Sequence, residues 1–444
     1  MIEIPSYSAS YIAFLTKGIL NGANVLINKI SLNSKETGDN WCYIAIKGQR
    51  FNGVNFIDEA IDNGACLIIT EEKIVSRVAV VCVDNTIKAL GLIAKVNIGN
   101  TKIIAITGSV GKTTTKEMLI SVLKEKYDVC GTKENENNEI GVPLTLLGIK
   151  SHDFCVVEMG MRAMGEIDYL SSICRPECAV ITNCGSSHLE TLKTRENIFL
   201  AKTEILNYSP KYAILPNEQR FKSLKVKDSK VFYVEEKSLL VDYKFTNDGI
   251  IFTINNEGKI IDNIKLNSFS LHNINSALIA FRVGKIYGLS DDEIKRGIEG
   301  FKMPKMREEY LEIKDITIIN DCYNSSYESM RGALKSLKNY AQINGKIPSL
   351  LVGDILEAGA DAEVIHSEIG KMCKEAKIKH LFAFGKYANI IIDSFGRGEI
   401  FTNKKDISDV IISTLGKNDV LLVKASRGAH FEEIIQDMKE KTDG

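Results

Sequence analysis

Thr107-Gly108-Ser109-Val110-Gly111-Lys112-Thr113-Thr114 follows the apolar run Ile103-Ile104-Ala105-Ile106 and precedes the helix-compatible Lys116-Glu117-Met118-Leu119-Ile120-Ser121-Val122-Leu123. The order is strand, phosphate loop, helix. Glycines let the backbone bend close to a phosphate, and free N–H groups at a helix start face the anion. Lys112 supplies a point charge and the Thr113 hydroxyl suits Mg²⁺. The stretch therefore points to nucleotide binding. The general phosphate loop places a glycine five residues before Gly111, where this chain has Ile106, so the loop is a variant.

Working outward, 444 residues with 44% hydrophobic content predict about three domains of roughly 150 residues each. Fifty-six basic residues against 57 acidic give a net charge of −1, which provides no global attraction for nucleic acid or an anionic membrane. Ten cysteines without a Cys-x-x-Cys pair match neither a disulfide framework nor the usual zinc spacing, and they predict reduced thiols in a cytoplasmic protein. Met1-Ile2-Glu3-Ile4-Pro5-Ser6 has no export pattern, and no run approaches a membrane span.

Residues 1–98 read as a small α/β unit with β-type runs at Cys66–Thr70 and Val78–Val83. The polar stretch Asn97-Ile98-Gly99-Asn100-Thr101 marks a boundary. Residues 99–307 alternate β-type runs (Ile103–Ile106, Phe154–Val157, Ala179–Thr182, Tyr212–Leu215) with helical patterns, which predicts a mainly parallel sheet with ligands at its carboxyl ends. Between about Lys222 and Asn267 the pattern shifts to short alternating runs, Val231–Val234 and Ile250–Ile254, which suggest an antiparallel insertion or flank, and a helix over Asn273–Tyr287 follows. Residues 308–444 form a third, doubly wound unit with strands at Ile316–Asn320, Ser349–Val352, His380–Phe384 and Val420–Val423. The fold class expected is α/β in three domains.

Glu158 ends a buried-type strand, Val156-Val157-Glu158, where its carboxylate reaches a nucleotide's Mg²⁺. His188 lies just past a third strand end, Ala179–Asn183, and reads either as a ligand or as a satisfied structural histidine. Lys202 interrupts an apolar helical pattern, and its chemistry alone equally describes a lysine snorkelling from an amphipathic helix. The amide-rich stretch Gly131–Pro143, with Asn137 and Asn138, reads as a loop between helices that either fixes a polar substrate or is plain surface.

Together these segments resemble the Mur ligase family, ATP-dependent enzymes that add amino acids to the cytoplasmic peptidoglycan precursor. That family's phosphate loop has the form Thr-Gly-x-x-Gly-Lys-Thr, which accounts for Ile106. Ala45–Gly53, Asn135–Leu147, Asp321-Cys322-Tyr323-Asn324 and Ser329-Met330-Arg331 are most similar to the branch that joins D-alanyl-D-alanine to UDP-N-acetylmuramoyl-tripeptide.

The resemblance implies a first domain for the UDP end of the substrate, with Asn33, Ser34, Lys35, Lys47, Gly48, Arg50 and Phe51 in its pocket. It implies a central ATP-binding domain and a Rossmann-like ligase domain. Lys112 and the amides of Asn137 and Asn138 would cradle phosphates. Thr113 and Glu158 would hold one of two Mg²⁺ ions, and His188 would help hold the other. Lys202 matches a lysine that carries a Mg²⁺-ligating carbamate. Asn273 matches the adenine-side asparagine, Arg307 a phosphate-contacting arginine, and Asp321, Tyr323 and Asn324 the third domain's share of the nucleotide site. Lys424, Ser426 and Arg427 would lie near the acceptor peptide.

Asn33-Ser34-Lys35 departs from Asp-Ser-Arg, which exchanges a bidentate guanidinium for a point charge, and Ser325-Ser326-Tyr327 departs from Ala-Asn-Pro. The implied partners are the tripeptide nucleotide and the dipeptide, with no nucleic acid and no membrane anchor, and a monomer is expected. Two alternatives stand beside this reading: the sister ligase adding a third amino acid to the UDP-linked dipeptide, and a regulatory homologue that has lost catalysis.

Overall fold

The computed structural model describes residues 2–48, 52–185, 189–234, 239–356 and 358–443. Three six-stranded sheets follow one another along the chain, and a three-stranded sheet sits between the second and third. The first sheet has parallel inner strands, Leu26–Ser31, Trp41–Ile44, Ala65–Thr70 and Ala79–Cys82. Antiparallel strands Ile2–Ser8 and Ile19–Asn21 close its two edges.

The central sheet is parallel throughout, in the order Lys230–Val234, Tyr212–Pro216, Cys178–Ile181, Lys102–Thr107, Phe154–Glu158, Val129–Gly131. Its strands are buried on both faces and accordingly rich in Ile, Val and Ala, as helix-covered parallel strands must be. The chain leaves Lys102–Thr107 in both directions, so the order reverses there. Such a switch point opens a crevice at the strands' carboxyl ends.

Two assignments change. Val231–Val234 belongs to a parallel edge strand of this sheet, because Ala213 to Pro216 give it a register. The antiparallel insertion is therefore limited to Leu240–Thr246, Gly249–Asn256 and Lys259–Leu266. The amide-rich stretch runs from the strand Val129–Gly131 to the helix Gly141–Leu147, not between two helices.

The third sheet runs Glu309–Ile313, Ile316–Asn320, Asp419–Lys424, Ile347–Gly353, His380–Phe384, Glu399–Phe401. Only its first pair is antiparallel.

One apolar core is continuous from Ile12 and Ile93 of the first unit to Val157 and Leu170 of the central unit. Across it Asn97 donates from Nδ2 to the carbonyls of Leu146, Leu147 and Ile149 at 3.0, 3.0 and 3.1 Å, satisfying the last turn of a helix that belongs to the other unit. A second core packs the helix Leu271–Ile286 and the three-stranded sheet against the opposite face of the central sheet. No helix among the described residues is long and apolar enough to cross a membrane.

Candidate active site

The strand Lys102–Thr107 ends in the phosphate loop, and the helix Lys112–Leu123 starts from it. Two glycines make the turn. Gly111 has φ +84°, and Gly108 has φ +154° with Thr182 Oγ1 only 1.9 Å from where a Cβ would stand. Lys112 folds back so that Nζ donates to the Gly108 carbonyl at 2.8 Å, which holds its charge over the loop. Asn183 braces the loop from outside: its Oδ1 accepts from the N–H of Ser109 and Val110, and its Nδ2 donates to the Val110 carbonyl at 2.7 Å. Thr107 Oγ1 donates to the Met159 carbonyl, tying the loop's base to the next strand's end.

Glu158 is 2% exposed, yet its two carboxylate oxygens are each engaged by a neutral donor. Thr113 Oγ1 donates at 2.8 Å and Asn137 Nδ2 at 2.9 Å. Asn137 is held there because its own carbonyl accepts from the Gly160 N–H. Asn138 turns away instead, and its Oδ1 accepts from the N–H of Ile140 and Gly141 at the start of the following helix. Its side chain braces the turn that leads into that helix. Lys116, fully buried, anchors the same loop by donating to the Thr132 carbonyl and pairing with Glu117 at 2.8 Å.

Lys202 does not snorkel. It lies on the helix Arg195–Thr203 at 1% exposure. Burial, and then the positive charge of Lys112, pull its pKa down from 10.5 to about 7, while Cys184 acts in the opposite direction. The amine is thereby biased toward its neutral form relative to an exposed lysine.

Across a cavity of about 490 Å³ the phosphate loop, Asn137 and Glu158 face Arg307, Asp321 and Tyr323. The Arg307 guanidinium stacks 4.1 Å above the Tyr323 ring, and Arg427 approaches the same ring at 5.9 Å. Asp321 pairs with Lys424 at 2.6 Å, and Lys424 also donates to the carbonyls of Asp321 and Asn324. Lys424 thus pins the 321–324 turn. Asn324 Oδ1 accepts from the Ser325 N–H, and Ser426 Oγ from the Leu356 N–H. Asn273 lines this cavity, with its Nδ2 committed to Ser268 Oγ and Glu308 Oε2 at 2.8 and 2.9 Å.

A second cavity of about 480 Å³ flanks the loop's other side. Ile181, Pro216 and Ile279 give it apolar walls, with Asn183, Asn217 and Asn275 among them. Asn217 Oδ1 is buried without a partner among the described residues. This slot was not anticipated. Its signal is a run of polar residues just past successive strand ends, Thr182-Asn183 and Asn217-Glu218.

In the first unit Asn33 caps the turn Ser34–Glu36, and the Ser34 hydroxyl donates to Glu59 at 2.5 Å. Asn33, Lys35, Lys47 and Gly48 are exposed, and none of them lines either cavity. His188, Arg50 and Phe51 lie outside the described residues.

Comparison with known proteins places this geometry. Residues 106–284 match the Mur ligase middle domain, and residues 306–427 match the Mur ligase, glutamate ligase domain. A UDP-N-acetylmuramoyl-tripeptide–D-alanyl-D-alanine ligase of Bacillus subtilis is 33% identical over 97% of this chain and 97% of its own. The crystal structure of MurF from Acinetobacter baumannii superimposes with a TM-score of 0.92 at 28% identity, covering 99% of this chain and 100% of that one. The MurF ligase of Thermotoga maritima, solved in complex with ADP, gives 0.85 at 27% identity over 94% and 98%.

Proposed function

The chain belongs to the Mur ligase family, and from that premise we propose that it joins D-alanyl-D-alanine to UDP-N-acetylmuramoyl-tripeptide, converting ATP to ADP and phosphate. The observation that carries the reading is the constellation Lys112, Thr113, Glu158 and Asn137 facing Arg307 and Tyr323 across one cavity. It brings a phosphate cradle against a surface from a separate unit, as joining a nucleotide-activated acid to a second substrate requires.

A peptide carboxylate is a poor electrophile. Its oxygen attacks the γ-phosphorus of ATP, the bond to ADP breaks, and an acyl phosphate results. The dipeptide's amine nitrogen then attacks the acyl carbon, phosphate departs with the bonding pair, and the amine loses its proton. Loop N–H groups and Lys112 balance charge on the transferring phosphoryl, and Arg307 adds a second cation from the linker, where positioning and electrostatics do most of the work. The second cavity takes the purine, between Pro216 and Ile279, with the surrounding amides available to its edge. This departs from the adenine-side assignment of Asn273, since that residue lines the first cavity with its Nδ2 committed to Ser268 and Glu308.

Glu158 with the Thr113 hydroxyl suits a hard cation, because such ions take oxygen ligands and the carboxylate's hydrogen-bond donors here are a hydroxyl and an amide. Glu158 and Thr113 would hold a Mg²⁺ ion there, which would supply further neutralisation of phosphate charge. Lys202 in its neutral form adds to CO₂ and releases one proton, giving a carbamate that with His188 serves a second Mg²⁺. Support for this is the burial and lowered pKa of Lys202. The domain division 1–98, 99–307 and 308–444 accompanies the proposal, supported by three six-stranded sheets that each close within one span. Asn33, Lys35 and Lys47 of the first unit are assigned to the UDP moiety, the exposed surface near the 321–324 turn to the acceptor, and the working form to a cytoplasmic monomer.

The test is a mass-spectrometric coupling assay. UDP-linked tripeptide plus D-alanyl-D-alanine is expected to yield pentapeptide nucleotide, with ADP and phosphate released one for one. Better reaction of the UDP-linked dipeptide with a single amino acid would establish the sister activity instead.

A further inference from the structure

Glu308 is buried at 8% exposure in the linker between the central and third units, and its carboxylate accepts five hydrogen bonds. From the central unit come Ser268 Oγ at 2.7 Å, the Phe269 N–H at 2.8 Å and Asn273 Nδ2 at 2.9 Å. From the third unit come Tyr310 OH at 3.0 Å and Ser336 Oγ at 2.6 Å. Oε2 serves the central unit alone, whereas Oε1 joins the Phe269 amide to both third-unit hydroxyls. Among the described residues no cation joins these partners. A charge without a counterion survives burial only where donors saturate it, so the node is stable only while both units supply theirs.

The surroundings reinforce the same junction. Phe269 packs on Tyr340 and Tyr310 at ring separations of 4.9 and 6.0 Å, and Asn339 Nδ2 donates to the Phe269 carbonyl at 3.3 Å. Glu308 has φ +49° and Met306 φ +58°, so two residues in the left-handed region flank Arg307. Neither is glycine, and such backbone persists only where its neighbours over-determine it. The node supplies that determination at Glu308, one residue from the guanidinium stacked on Tyr323.

We propose that Glu308 is a positioning residue for the ligation: a buried carboxylate latch that fixes the third unit on the central unit and so sets Arg307 over the phosphate cavity. The proposal rests on the ligase reading for its effect on rate, and on geometry alone for its effect on the junction. Glu308 touches no reacting atom.

The latch is opened from the third-unit side with Tyr310→Phe and Ser336→Ala together, which keep the ring and the helix while removing two donors. The linker carries its own reporters, since trypsin cuts after Lys302, Lys305 and Arg307. With ADP and Mg²⁺ present, cleavage at these three positions is expected to accelerate about a hundredfold in the double variant, roughly tenfold for each of the two hydrogen bonds to a charged group that it removes. Cleavage elsewhere and the melting temperature stay near wild type. In the coupling assay kcat falls about tenfold while KM for ATP changes less than about twofold, because the phosphate loop is untouched. Glu308→Gln, which turns one acceptor oxygen into a donor, gives the same pattern.

Wild-type cleavage in the linker, or acceleration at all tryptic sites with a fall in melting temperature, overturns the latch. Absence of ligation by the wild-type chain would overturn the activity reading and leave the proteolysis result to decide the latch.

Discussion

Lys202 and Lys424 are equally buried, each at 1% exposure, and they belong to opposite kinds of site. Lys424 ends a strand of the third sheet and donates to the Asp321 carboxylate and two carbonyls, so its ammonium replaces water with fixed acceptors. Lys202 lies on a helix beside the phosphate loop, where the charge of Lys112 adds to the cost of its own burial. A buried cation with a full set of acceptors builds structure. A buried amine next to another cation is driven to give up its proton, and so becomes available for chemistry.

The largest effect is expected at the charge that the two lysines do not share. Lys112→Ala should lower ligation by about a hundredfold or more, the loss typical of one well-placed electrostatic contact. It should also raise the Lys202 pKa, readable by NMR of the labelled amine. Wild-type turnover would remove the nucleotide site from this loop.

Lys202→Ala is expected to cost about 10- to 100-fold, in line with losses around metal ligands. Acetate should return part of it by filling the vacated carboxylate position. In wild-type enzyme at limiting CO₂, activity should climb as pH passes through about 7, where the amine becomes neutral. Full activity of the variant, or a bare ammonium in a nucleotide-bound structure, would end the carbamate assignment.

The smallest effects have opposite signs and are read as stability. Lys424→Met leaves the part-exposed Asp321 carboxylate without its cation and should destabilise by about 1 kcal/mol. Lys202→Met, in CO₂-depleted buffer without Mg²⁺, should raise the melting temperature. The folded pKa of Lys202 lies below its ordinary 10.5, so the unfolded chain binds more protons between about 7 and 10.5. Wild-type stability therefore rises with pH across that window. A fall in melting temperature for both variants would dissolve the distinction between the two sites.

The phosphate loop was legible because strand, loop and helix are contiguous, and every group it uses lies within eight residues. Glu158 was legible for a related reason: a carboxylate at the end of a neighbouring parallel strand has one direction to face. Lys202 was not, because helical spacing shows which face it occupies without showing whether another element covers that face. Glu308 sits in the charged run Arg307-Glu308-Glu309, which reads as solvated linker, and its five donors come from positions between 268 and 336. Val231–Val234 alternates weakly and was read as antiparallel. Its direction depends on a crossover from Tyr212–Pro216, which local pattern does not encode.

The three carbonyls gathered by Asn97 have a mechanical consequence. With a shared core beneath them, the first and central units are joined as one packed body, so the three six-stranded sheets do not make three independent cores. A compound that bridges the first and central units would therefore meet a preformed surface.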